Sequence, residues 1–101
     1  VRTLENKVID VFKELVKAAY LSEVKPHDRY RLAYEFGILD SIKAMTGVHV
    51  DLYFKRVDDN IVRFTAIAAD NLETVANGYC HLVDEGYGKF VDVVDIDKFK
   101  L

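Results

Sequence analysis

This chain of 101 residues is short of most features that would announce a chemistry. A single cysteine, Cys80, cannot close an internal disulfide, which fits a reducing compartment. One proline and no low-complexity run leave nothing that reads as a linker, so residues 1–101 are taken as a single domain. The apolar stretches are short and broken by charge, which excludes a membrane-spanning helix. No basic-then-apolar segment opens the chain, so no signal peptide is expected within it, and a cytoplasmic location is the expectation. With Val1 in first place, a trimmed or processed start is also expected. Fourteen basic against seventeen acidic side chains give a net charge of -3, which exerts no global pull toward nucleic acid or anionic lipid. Phosphate-binding glycine loops precede a helix, whereas Gly86 and Gly88 follow a segment that itself reads as one. No nucleophile elbow, zinc-ligand pair or EF-hand spacing occurs.

What is present is a pattern for folding. Half of the residues are hydrophobic and 31% are charged, an ordinary globular composition that can support a core without staples. From Thr3 to Leu21, Leu4, Val8, Val11, Phe12, Leu15, Val16 and Ala19 recur at steps of three and four, which predicts a helix capped by Thr3. A second helix is predicted from the neighbourhood of Pro26 to a left-handed C-cap at Gly47. Its apolar residues cover a wide arc, predicting contacts on more than one side, and Gly37 in its middle predicts close packing against a neighbour.

Residues 48–69 carry the clearest β signal. Val48, Val50, Leu52 and Phe54 alternate with polar residues, as do Val62, Phe64, Ala66 and Ala68. A loop at Asp58, Asp59 and Asn60 sets Phe54 opposite Phe64 and Leu52 opposite Ala66. Residues 70–86 read as a third helix ended by Gly86 or Gly88, with Leu72, Val75, Ala76, Tyr79, Leu82 and Val83 as its stripe and Asp70 or Asn71 as its cap. A last strand closes the chain, where a bulge would reconcile Val91 and Val93 with Val94 and Ile96. The expected fold is therefore α+β in the order ααββαβ. Its three-stranded sheet is mainly antiparallel, in the order 2-1-3, with helices mostly on one face.

Candidate chemistry is thin. Cys80 and His81 are adjacent, but on a helix adjacent side chains diverge by about 100° and cannot meet over one substrate. Cys80 then reads as a packed hydrophobe and His81 as a surface residue beside Glu85. His27, His49 and His81 show no ligand spacing, so no metal, cofactor or catalytic residue is assigned and the chain is not expected to be an enzyme. Asp95 and Asp97 share a strand face, with Asp92 opposite unless a bulge intervenes, and read as the charged side of a sheet edge. The remaining feature is the outer face of the hairpin, where Tyr53, Lys55, Ile61, Arg63 and Ile67 gather with His49 and Thr65. Ile61 and Ile67 are apolar on a side that should face water, and Tyr20, Tyr30, Tyr34 and Tyr87 add aromatic surface. The expected function is a small protein-interaction or self-associating domain, a homodimer or one bound to another protein. Single-stranded nucleic-acid binding through the 48–69 hairpin face is an alternative, not favoured by Asp51, Asp58 and Asp59 nearby. A small-ligand pocket between sheet and second helix, lined by Tyr30, Tyr34 and Glu35, is a third.

Overall fold

The computed structural model describes residues 4–86 and 88–101. Two helices, α1 (Leu4–Val24) and α2 (Arg29–Thr46), precede four strands, β1 (Val50–Asp58), β2 (Ile61–Ala68), β3 (Thr74–Asp84) and β4 (Lys89–Phe99). The strands form one antiparallel meander in the order β1-β2-β3-β4. Both helices lie on one face of it. Among the described residues no helix is long and apolar enough to cross a membrane. Thr3 and Tyr87 lie outside the described residues.

The α+β class and the one-sided helices stand, but the order is ααββββ, not ααββαβ, and the sheet has four strands, not three in the order 2-1-3. The difference comes from residues 74–84, predicted as helix and found as β3. Both periods fit there: Val75, Ala76, Tyr79, Leu82 and Val83 suit a helix, while Ala76, Gly78, Cys80 and Leu82 alternate and are all buried. Gly78 decides in favour of the strand. A Cβ there would stand 1.9 Å from the Asp95 carbonyl oxygen and 2.9 Å from Cε2 of Phe64, its cross-strand partner. The glycine leaves room for the phenyl ring. Leu72, expected in a buried stripe, instead stands exposed in the β2–β3 turn with φ 61°. Asn71 turns the chain there by accepting from the Glu73 N–H.

Elsewhere local signals held. Phe54 faces Phe64 and Leu52 faces Ala66, and Val62, Phe64, Ala66 and Ala68 are buried. Gly47 caps α2 in the left-handed region, φ 76°, its N–H bonding the Lys43 carbonyl at 2.7 Å. The helix opens in the turn after Pro26, as expected, with Asp28 as N-cap and its Oδ1 accepting from the amides of Tyr30 and Arg31. Those bonds hold the Asp28 carboxyl below its ordinary value, the Arg31 amide foremost. In β4, register shifts at Asp92 and Asp97 bring Val91, Val94, Ile96 and Phe99 to the core, as the predicted bulge requires.

The core lies between α1 and the sheet. Phe12, Leu15 and Val16 are fully buried on Phe64, Ala66, Ala76 and Cys80. The Phe12 ring meets Phe64 at 5.9 Å and Phe99 at 5.4 Å. By contrast α2 rests mainly on α1 and fully buries only Ile42. The contacts expected on several of its sides are absent among the described residues: Tyr30, Tyr34 and Phe36 stand largely exposed, and nothing lies within 4 Å of a Cβ placed on Gly37.

Candidate functional site

With the helices on one face, the alternating residues that miss the core form an open sheet face. Antiparallel register lines them up in rows across the strands. One row is Lys55–Arg63–Tyr79–Asp95. The next toward one end is Tyr53–Thr65–Asn77–Lys98, followed by Asp51–Ile67–Thr74. Toward the other end come Ile61–His81–Val93 and then Val83–Phe90. The five residues singled out from sequence, Tyr53, Lys55, Ile61, Arg63 and Ile67, therefore share this face. Tyr53, Lys55 and Arg63 are exposed, while Ile61 and Ile67 are half-buried by their neighbours.

The strand β3 adds residues that a helical reading hid. Tyr79 lies beside Arg63 in the central row, and His81 Nε2 meets Asp95 Oδ2 of β4 at 2.7 Å. The expected surface pairing of His81 with Glu85 is thus replaced by one across strands. The charge is uneven. On β1 and β2, Lys55 and Arg63 face each other, and on β4 exposed Asp92, Asp95 and Asp97 dominate over Lys98.

Cys80 has no part in this surface. Strand alternation puts it on the covered side and His81 on the open one, so the pair is separated by the sheet itself. Burial pushes the Cys80 thiol up to about 12, far from thiolate chemistry at neutral pH. Among the described residues, no group of three or more His, Cys, Asp or Glu side chains could hold a metal ion.

Between sheet and second helix, the lining differs from the one expected. A groove of about 730 Å³ runs between α2 and β1, lined by Glu35 but not by Tyr30 or Tyr34. Those two tyrosines border a separate hollow of about 540 Å³ against α1 and β4. They fall elsewhere because α2 turns them away from β1. No family model, no curated protein and no solved structure matches the chain. The fold defines a two-layer α+β domain with one bare sheet face.

Proposed function

We propose that this chain is a small interaction domain that associates with a second copy of itself through the open sheet face. The observation carrying this reading is the antisymmetry of the central row, basic at Lys55 and Arg63 and acidic at Asp95. In an isologous pair, a two-fold axis parallel to the strands lays β1 of one copy over β4 of the other. Lys55 then approaches Asp95 of the second copy, and Arg63 approaches the ring of its Tyr79, twice by symmetry. Such charges set register more than affinity. Tyr53, Ile61, Ile67, Tyr79, Val83 and Val93 supply apolar area, and Tyr53 and Val93 are 57% and 46% exposed without it.

Four strands at about 4.8 Å spacing offer a face roughly 20 Å wide. Covering it on both copies buries on the order of 1,000 Å² in total, the lower end of specific interfaces, so association in the micromolar range is expected. Sedimentation equilibrium tests this. Lys55→Glu or Asp95→Lys should each weaken the dimer at least about tenfold, and the double swap should restore it, because opposite charges again meet. A chain that stays monomeric to about 1 mM would remove the proposal.

Tyr79 also favours a second reading, since a second aromatic beside Arg63 and Lys55 resembles a stacking platform for single-stranded nucleic acid. A mobility shift at low salt, lost in the Tyr53→Ala, Lys55→Ala, Arg63→Ala triple variant, supports it. Absence of a shift with the unmutated chain rejects it.

A further inference from the structure

The groove between α2 and β1 has the makings of a second site, adjoining the open face at Asp51 and Tyr53. It touches Val50, Leu52 and Phe54 of β1, which face the core, and also Asp51 and Tyr53, which face the other way. Contact with both parities means that it follows the strand's edge. The hydrogen-bond pattern shows which backbone groups stand there. The His49 carbonyl accepts from the Ala69 N–H at 2.8 Å. Antiparallel alternation then turns residues 51, 53 and 55 toward β2. The N–H and C=O groups of Val50, Leu52 and Phe54 point to the free edge.

The two edges of the sheet differ. On β4, register shifts at Asp92 and Asp97 and a row of exposed acids discourage a further strand. On β1 the register runs unbroken from Val50 to Arg56. Beside it Leu32, Phe36 and Leu39 of α2 form an apolar wall, with Phe36 58% exposed. Four acids, Glu23, Glu35, Asp40 and Asp51, line the groove, and among the described residues no lysine or arginine does. On the α1 wall, Ser22 is 6% exposed and its Oγ has no hydrogen-bond partner. A hydroxyl buried without a partner is costly, and one lining a groove is satisfied when something polar fills it.

We infer that this groove receives an extended basic segment of a partner protein, which adds to β1 as a fifth, outer strand. Main-chain bonds to Val50, Leu52 and Phe54 hold it. Its inward side chains are aliphatic and meet Leu32, Phe36 and Leu39, with one small hydroxyl or amide side chain bonding Ser22. Its outward side chains are lysine or arginine and meet the acidic rim. This site shares Asp51 and Tyr53 with the open face but none of Lys55, Arg63 and Asp95, the residues that set the register of the proposed dimer.

The probe is a short acetylated, fluorescein-labelled peptide of alternating valine and lysine, with a second version carrying threonine at the central inward position. Anisotropy should show saturable binding near 10–100 µM that weakens with salt. Hydrogen exchange should show new protection at the amides of Val50, Leu52 and Phe54 and none along β4. Leu52→Pro removes an edge donor without touching the bonds to β2 and should abolish binding. Should Leu52→Pro unfold the chain, Asp40→Lys, on an exposed side chain, serves instead and should weaken binding at least about fivefold. Ser22→Ala should erase the advantage of the threonine peptide, about 3- to 10-fold. No binding of either peptide at 1 mM, on the order of the weakest specific affinities, overturns the inference. So does binding indifferent to Asp40→Lys, protection confined to β4, or a peptide-free dimer that Leu52→Pro dissociates, which would assign the edge to a second copy.

Discussion

The two faces of the sheet are made by the same strands and have opposite characters. At the centre of the covered face stand small residues, Ala66, Ala76, Gly78 and Cys80, under Phe12, Leu15 and Val16 of α1. The open face carries Tyr53, Lys55, Arg63, Tyr79 and Asp95 at the corresponding rows. Small residues let the helix lie close, where each fully buried large side chain contributes roughly 1.5–3 kcal/mol. Nothing comparable weighs on the open face.

Phe64→Ala should have the largest effect in either direction. It removes a fully buried ring that packs on Phe12 and over Gly78, and should cost about 4 kcal/mol in denaturant unfolding. Next comes Gly78→Ala, roughly 3 kcal/mol or more, because the added Cβ strikes backbone that cannot move aside. Cys80 tests the covered face by pH. Its thiol rises from an ordinary 9.0 to about 12 in the folded chain. The folded state therefore keeps its proton while the unfolded state loses it. This contribution to stability is intact below pH 9.0 and declines as pH climbs toward about 12. Thiol-reagent labelling at neutral pH should likewise run at least about 100-fold slower than in denaturant.

Smaller effects sharpen the contrast. Gly37→Ala should stabilise the chain by about 0.5–1 kcal/mol, the reverse of Gly78→Ala, since open space surrounds it and alanine favours helix. Tyr53→Ser should change monomer stability by no more than about 0.5 kcal/mol while weakening self-association. If dilute-solution unfolding showed a loss from Tyr53→Ser as large as that from Phe64→Ala, the two faces would not differ as described.

The parts of this fold that were legible in sequence are those governed by near neighbours. The stripe of α1, the left-handed stop at Gly47 and the register of Phe54 on Phe64 follow from periodicity and turn chemistry alone. Half of the candidate face came with them, because Tyr53, Lys55, Ile61, Arg63 and Ile67 belong to that hairpin. The other half, Tyr79, His81 and Asp95, depended on reading residues 74–84 as a strand. The clue was Asn77–Gly78, poor material for a helix interior, but poor also for a strand taken alone. The β1 groove was less legible still. Ser22 looks like any polar residue near a helix end until its burial without a partner is seen.

By itself the sequence determined two helices, a hairpin and a closing strand, since each is specified within a few residues of its own pattern. Only the tertiary structure decided the segment between hairpin and closing strand, where helical and alternating periods coincide on Ala76 and Leu82. The choice was made by what lay alongside: the free edge of β2 needed partners for its backbone, and the ring of Phe64 needed the space that Gly78 leaves empty. With that choice made, the sheet gained a fourth strand and a wider bare face.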